Sequence, residues 1–180
     1  MLELSSQQIA DISAHAEQAY PEECCGLMVG KIMPQADSQT KLTYKHIVQL
    51  FPMSNEWTAD TLPAEDSTIE VARSMSDNPI FTRARRYWID PKDMLQVQKQ
   101  ARAQGLNILG IYHSHPDHVA EPSECDRSRA WPEYAYTIVS VRNGKAVDVQ
   151  NWTLDSDHQF QSEAIKVLPS SASARMPVSA

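Results

Sequence analysis

The chain has 180 residues, of which 42% are hydrophobic and 22% are charged, a composition typical of one soluble globular domain. Its formal net charge is −7, which disfavours nonspecific nucleic-acid binding because such binding needs Lys and Arg to neutralise phosphates. The sequence shows no signal-peptide pattern and no apolar run of about 20 residues, so we expect neither secretion nor a membrane span. Three cysteines do not indicate a secreted disulfide framework, and we expect a cytoplasmic protein.

The chain begins with a predicted helix and a predicted strand. Ser5 or Ser6 can cap a helix over residues 5–19, whose apolar positions recur at spacings of three and four. Pro21 ends this helix because proline cannot continue the backbone hydrogen bonding. An apolar strand follows from about Gly26, and two glutamates lie just before it.

The next stretch predicts one more strand and then a long segment with little regular pattern. Residues 41–52 predict a strand that pairs with the previous one. Residues 53–80 are polar and aperiodic, apart from a short helix predicted at 65–76. A segment of this length is typical either of a binding loop or of a disordered insertion, and the sequence favours neither.

A short strand is predicted at residues 87–89, and a well-marked helix follows it. Asp90 is suited to the N-cap, Pro91 to the first helical position, and Gly105 to the position just after the helix. The apolar run at 106–112 then predicts a buried strand. Three basic residues precede this region (Arg83, Arg85 and Arg86), which indicates either a solvated face or a contact site for an acidic partner.

The remainder of the chain predicts mainly strands. Residues 134–141 predict a strand, Asn143-Gly144 is typical of a hairpin turn, and residues 146–152 pair back. A final strand or helix is predicted within 158–168. Residues 169–180 are rich in Ser, Ala and Pro, so we expect a disordered tail there.

Two histidines two residues apart follow directly after the 106–112 run. His113 and His115 point to the same face because side chains alternate along a strand. Ten residues further on lies Asp126, and Ser123 can cap a short helix that continues to about Trp131 and carries this aspartate back toward the imidazoles. Two imidazoles and a carboxylate form a three-ligand set, which for zinc leaves a fourth position for water and is typical of catalytic sites.

Hydrolysis at such a site needs a second carboxylate to move the proton. Glu22 and Glu23 precede the strand that begins near Gly26, and at most one of them can face a shared site because adjacent residues on an extended chain point apart. Exposed glutamates are common at such positions, so only the zinc hypothesis makes this pair a candidate for catalysis. Asp117 and His118 are expected to be turn residues, and Cys125 a packed thiol.

These residues together resemble the JAMM/MPN+ metalloprotease domain, in its small prokaryotic branch. The resemblance rests on His113-x-His115, on Asp126 after ten residues, on Ser123 three residues before it, and on an upstream Glu-x-Cys-Gly context. It covers roughly residues 3–155 and implies an α/β fold. The expected architecture is a curved, mostly antiparallel sheet flanked by helices and similar to cytidine deaminases.

The resemblance also implies a role for each residue of the motif. His113, His115 and Asp126 would bind Zn²⁺, Glu23 would be the general acid and base, and Ser123 would hydrogen-bond the tetrahedral intermediate. The domain would occupy residues 1–168, with residues 53–80 as a variable insertion.

The substrate implied by the resemblance is the Gly-Gly tail of a ubiquitin-like or sulfur-carrier protein, cut at an amide or isopeptide bond. The tail would bind as an added strand beside the sheet. Three alternatives stay open at this point: a zinc peptidase on small peptides, a metal-stabilised interaction module without catalysis, and a relative associated with DNA repair. The acidic charge weakens the last of these.

Overall fold

The computed structural model describes residues 1–34, 43–58 and 82–169. Within these residues, eight strands and three helices follow one another along the chain. They are β1 (Leu2–Ser5), α1 (Ser6–Ala19), β2 (Cys25–Pro34), β3 (Thr43–Met53), α2 (Pro91–Ala103), β4 (Asn107–Pro116), α3 (Glu124–Ser128), β5 (Ala135–Arg142), β6 (Lys145–Leu154), β7 (Phe160–Ser162) and β8 (Ile165–Leu168). None of the helices in these ranges is long and apolar enough to cross a membrane.

All eight strands belong to one mixed sheet, in the order β7-β6-β5-β4-β2-β3-β1-β8. Four neighbouring pairs are antiparallel and three are parallel. The sheet is therefore mixed, with antiparallel pairs in the majority, in agreement with the expected architecture. Two of the parallel pairs involve β1, a strand that the sequence did not predict because four residues are too few to show a periodic pattern.

The sheet curls so that its two edges come close together. β7 and β8 form opposite ends of the strand order, yet only Glu163 and Ala164 separate them in the chain. Backbone hydrogen bonds join the residues between β7 and β8 to strands near both edges of the sheet. Glu163 N donates to Asn151 O of β6 at 2.8 Å, and Leu2 N of β1 donates to Ala164 O at 3.0 Å. The amino group of Met1 lies 2.7 Å from Glu163 Oε1. The region predicted as one strand or helix at 158–168 is thus two short strands on opposite edges.

Helices cover both faces of the sheet, so the strands of its centre are buried on each side. α1 packs into a core that includes Met28 and Tyr112, whereas α2 packs into a second core that includes Leu27 and Ile111. Neighbouring residues of a strand point to opposite faces, so the two cores lie on opposite faces of β2 and β4. The central strand β4 is therefore rigidly held where it carries its histidines.

The helix caps follow the sequence-based expectations. Ser5 caps α1 in a capping box with Gln8. Asp90 caps α2 by accepting a hydrogen bond from Lys92 N at 2.7 Å, and Gly105 adopts a φ of 67° just after the helix. These local signals were sufficient because capping depends only on residues within one turn.

The strand expected at residues 87–89 is wrong. These residues form no regular element, and the backbone around them binds a side chain instead of a neighbouring strand: Trp88 N donates to Asn55 Oδ1 at 3.2 Å, and Asn55 Nδ2 donates to Arg86 O at 2.9 Å. One backbone bond, from Glu56 N to Trp88 O, completes the contact. A partner about 30 residues away in the chain cannot be seen in a local pattern.

The other observed element boundaries differ less from the predicted ones. The helix after Ser123 ends at Ser128, with Arg129 as its C-cap, and does not reach Trp131. The helix predicted at 65–76, the first two residues of the strand predicted at 41–52, and the tail from residue 170 onward lie outside the described residues.

Candidate functional site

β4 brings the two imidazoles together. His113 Nε2 and His115 Nε2 lie 3.1 Å apart, and both residues are buried. β2 and β5 flank β4 on its two sides, with Cys25 opposite His113 and Ser140 opposite His115. The position of both rings is therefore set by central strand pairing, not by a loop.

α3 adds the carboxylate. Asp126 Oδ1 lies 3.5 Å from His113 Nε2, and Asp126 Oδ2 lies 3.6 Å from His115 Nε2. Ser123 caps this helix and donates to Oδ2 twice, from its backbone N and from its hydroxyl, each at 2.6 Å. Burial opposes ionisation, but the histidines and Ser123 outweigh it and hold the pKa of Asp126 well below its ordinary value.

The donor atoms of His113, His115 and Asp126 lie close enough together to hold one metal ion. Bonds of 2.0–2.1 Å in a tetrahedron place ligand atoms about 3.3–3.4 Å apart, and the two imidazole nitrogens are 3.1 Å apart. Each oxygen of Asp126 faces one imidazole, Oδ1 at 3.5 Å from His113 Nε2 and Oδ2 at 3.6 Å from His115 Nε2. Two imidazole nitrogens and one carboxylate oxygen are also the donors that zinc accepts in catalytic sites. His113, His115 and Asp126 therefore fit a metal ion with one open position.

The two histidines differ in charge preference. Burial lowers the pKa of His113 to about 4, which keeps its imidazole neutral at neutral pH, and the ring of Tyr87 stacks on it at a centroid distance of 4.6 Å. Burial lowers the pKa of His115 as well, but Asp126 and Glu23 outweigh it and raise that pKa above its ordinary value. His115 donates from Nδ1 to Val119 O at 2.9 Å. A neutral ring that donates from Nδ1 presents the lone pair of Nε2 to a ligand.

The loop that supplies the Val119 carbonyl is itself anchored. Ser140 Oγ donates to His118 O at 2.5 Å, and Trp152 Nε1 donates to Ala120 O at 2.9 Å. Asp117, at a φ of 55°, accepts a hydrogen bond from Asn143 N. Asp117 and His118 lie in a turn, as expected, and the contacts of this turn hold in place the Val119 carbonyl that accepts from His115.

The two glutamates before β2 differ as the alternation rule predicts. Glu22 is exposed, whereas Glu23 is only 5% exposed. Glu23 N donates to Arg83 O at 2.7 Å, and Asn55 Nδ2 donates to Glu23 O at 3.0 Å. The same Asn55 that ties down residues 86–88 thus also fixes the backbone of Glu23.

Burial raises the pKa of Glu23 to about 8, with a smaller contribution from Asp126 and with opposition from His115, Arg85 and Arg86. A carboxyl group whose pKa lies near the working pH can both accept and release a proton, which is the requirement for general acid–base catalysis.

Glu23, His115 and Ser123 line one cavity of about 190 Å³. Arg85 and Arg86 line it as well, so part of the predicted basic cluster borders this cavity. All five residues of the predicted site therefore lie at this cavity or in direct contact with a residue that lines it.

The thiols take no part in this arrangement. All three cysteines are free, and burial raises the pKa of Cys24 to about 11, which keeps it protonated. The pKa of Cys125, beside Asp126, is also raised by burial. A thiol nucleophile needs a depressed pKa, so the site is not arranged for cysteine catalysis.

The family model described as prokaryotic homologs of the JAB domain matches residues 5–155. The chain belongs to this family. The match spans every element that builds the site, from α1 to β6, so the ligand group, Glu23 and Ser123 all lie inside the JAB domain. The curled mixed sheet with helices on both faces is the fold of this family.

Two curated relatives and one solved structure are similar to this JAB domain. A desampylase from Haloferax volcanii is 37% identical over 70 residues, which cover 38% of this chain and 49% of the relative. A probable TtuB-protein conjugate cleaving protease from Thermus thermophilus is 37% identical over 60 residues, 33% of this chain and 40% of the relative. The aligned regions thus span half or less of the curated relatives.

The similarity in structure extends further than the similarity to those two sequences. A protein from Desulfitobacterium hafniense, known from its solution structure, superimposes with a TM-score of 0.64 at 26% identity, with 94% of each chain covered. The whole fold, and not only the motif region, is therefore shared with a known structure.

Proposed function

We propose that this JAB domain is a zinc-dependent hydrolase that cuts the amide or isopeptide bond at the C-terminal Gly-Gly tail of a ubiquitin-like or sulfur-carrier protein. The observation that carries the proposal is the buried Glu23 in the same cavity as His115 and Ser123, beside a group of His113, His115 and Asp126 that can hold a metal ion. A scaffold role would not require a buried carboxyl group at that position, because burial of such a group is unfavourable without compensation.

The residues supply a complete route for hydrolysis. A zinc ion held by His113, His115 and Asp126 would supply Lewis-acid chemistry toward the carbonyl and the attacking water. Glu23 accepts a proton from the water as its oxygen bonds to the carbonyl carbon. Glu23 then delivers that proton to the nitrogen as the C–N bond breaks, which leaves a carboxylate on the carrier and a free amine.

Arg85 and Arg86 favour the ionised form of Glu23 and so support its action as a base. Ser123 would donate its hydroxyl to the oxyanion of the intermediate. Since that hydroxyl donates to Asp126 here, this role requires rotation of the Ser123 side chain toward the cavity that it lines.

The names of the two curated relatives support the substrate class, because one is a desampylase and the other a probable protease of TtuB–protein conjugates. We extend this class to the present chain as part of the proposal. We also place the reaction in the cytoplasm, a location supported by three free cysteines because cytosolic thiols are kept reduced.

The proposal is tested by metal content and by cleavage of a carrier protein fused through its Gly-Gly end to a peptide or to a lysine side chain. We expect one zinc per chain and release of the carrier with an intact Gly-Gly carboxylate. Zinc without cleavage of any fusion would refute the carrier hydrolase and favour a small-peptide or scaffold role. Absence of metal would refute the assignment of the ligand group.

Replacement of Ser123 by alanine should slow hydrolysis but spare the fold. Loss of one oxyanion donor costs a factor of roughly 10²–10³ in kcat, and loss of the helix cap costs about 1 kcal/mol of the free energy of unfolding. Steady-state kinetics at saturating zinc and chemical denaturation measure the two effects. Ser123→Thr, which retains a hydroxyl for both roles, serves as the control. An alanine variant with kcat within threefold of wild type would contradict the oxyanion role.

A further inference from the structure

A second cleft, of about 240 Å³, borders the candidate metal group. It includes Asp126 in its lining and shares Arg85 and Arg86 with the cavity that contains Glu23. Its interior is apolar, and we call it the Trp88 cleft. The apolar walls are formed by Tyr87, Trp88, Ile89, Met94, Ile111 and Trp131.

The Trp88 cleft lies next to the reacting centre. Tyr87, one of its walls, stacks on His113 at 4.6 Å, and Asp126 is itself one of the candidate ligands. A group bound in the cleft is therefore attached close to the bond that is cut. Trp131, which also lines the cleft, is 48% exposed, so the cleft is open to solvent beside it.

A Gly-Gly tail has no side chain to fill this space. An extended chain spans about 3.3–3.6 Å per residue, so the first carrier side chain begins roughly 7 Å or more from the carbonyl that is cut. The amine side of the bond is the nearer source of a side chain. The occupant of the cleft is therefore the residue that leaves.

The rim of the cleft carries positive charge. The Arg129 guanidinium lies 5.9 Å from the centroid of the Trp88 ring, and Arg85 is exposed at the junction of the two cavities. Within the described residues, neither arginine forms an ion pair with a carboxylate. An apolar interior with a cationic rim complements a ligand that has an apolar side chain and a carboxylate.

We propose that the Trp88 cleft binds the leaving group as an α-amino acid with a large aliphatic or aromatic side chain, and that Arg129 and Arg85 bind its free carboxylate. The proposal rests on the function proposed above and narrows it. The substrate is a carrier whose Gly-Gly carboxyl group is joined to the α-amino group of such an amino acid. Water adds to the carbonyl carbon, the C–N bond breaks, and the products are the carrier carboxylate and the free amino acid.

The test is a series of carrier–Gly-Gly–X fusions in which the terminal residue X is glycine, leucine or phenylalanine. Each is made as the free acid and as the carboxamide. We expect kcat/KM for leucine and phenylalanine to exceed that for glycine by about 10- to 100-fold, and we expect the carboxamides to lose a factor of about 3–10. Arg129→Gln should remove the preference for the free acid. Arg127→Gln changes an arginine two residues away, in the helix that Arg129 caps, where it pairs with Glu124; it should leave that preference unchanged.

The fusion series distinguishes an incorrect assignment of the cleft from an incorrect proposed function. Equal cleavage of all fusions would overturn the cleft assignment while the carrier hydrolase stands. If no fusion is cleaved, the proposed hydrolase activity is refuted. The cleft assignment is then tested by direct binding, measured as a change in tryptophan fluorescence during titration with free L-leucine or glycine. A saturable response to leucine but not to glycine, weakened by Arg129→Gln, supports the cleft, and absence of a leucine response overturns it.

Discussion

Replacement of Glu23 by glutamine is expected to abolish hydrolysis while the metal content stays at the wild-type level. Glutamine has nearly the same size as glutamate but cannot shuttle a proton, and Glu23 is proposed to move the proton in both halves of the reaction. General acid–base groups contribute about 10²–10⁴-fold to rate, so we expect kcat to fall by roughly 10³-fold or more, a larger loss than for Ser123→Ala.

The neighbouring residue offers a matched control. Glu22→Gln makes the same chemical change one position away, on a side chain that points to solvent. It should retain wild-type kcat and metal content. A Glu23→Gln variant with more than a tenth of the wild-type kcat would remove Glu23 from the mechanism, whereas equal losses in both variants would indicate a general effect of charge near the cavity.

Glu23→Gln should also change how the stability of the metal-free protein depends on pH. Because burial raises the pKa of Glu23 from 4.5 to about 8, the folded metal-free protein retains a proton that the unfolded chain releases above pH 4.5. The native state then binds more protons, and its stability falls as pH rises from about 4.5 to 8. Glu23→Gln removes this loss, so the variant should gain on the order of 3 kcal/mol relative to wild type between pH 5 and pH 8. Urea denaturation of both metal-free proteins at the two pH values measures the difference.

The close grouping of the three candidate ligands was predictable because it depends on local rules. A strand presents every second residue to one face, which pairs His113 with His115. A serine at an N-cap begins a helix, and this helix places Asp126 back toward the two imidazoles. Both rules act over a few residues, so the chain itself contains the information. The choice of Glu23 over Glu22 required the family resemblance, because alternation alone allowed either.

The supports around the site were not predictable, because each joins residues far apart in the chain. Asn55 binds the backbone of Glu23 and of Arg86, and Trp152 holds the loop that carries the Val119 carbonyl. An asparagine after a strand and a tryptophan within one have many roles in proteins, and no spacing marks these. The same reason explains the wrong strand at 87–89: an apolar aromatic triplet suits a strand, but here its aromatic rings form one wall of the Trp88 cleft.

Replacement of Asp126 by asparagine should prevent tight metal binding. The amide keeps the size of the side chain and an oxygen that can accept from Ser123 N and Oγ, so α3 keeps its cap. It loses the negative charge that two neutral imidazoles do not supply. Loss of a residue that merely orients a ligand costs 10–100-fold in metal affinity, so loss of a charged ligand should cost more than about 100-fold, with a corresponding loss of activity at limiting zinc.

The measurement is metal affinity by competition with a chromophoric chelator, together with thermal unfolding at rising zinc concentration. An ion that binds only the folded state stabilises it by about 4 kcal/mol at 1,000 times its dissociation constant, so wild-type protein should gain stability where Asp126→Asn does not. Glu124→Gln changes an exposed carboxylate two residues away on the same helix and should behave like wild type. Equal zinc affinity in all three proteins would mean that Asp126 is not a ligand, and that its contacts with His113 and His115 only stabilise the metal-free fold.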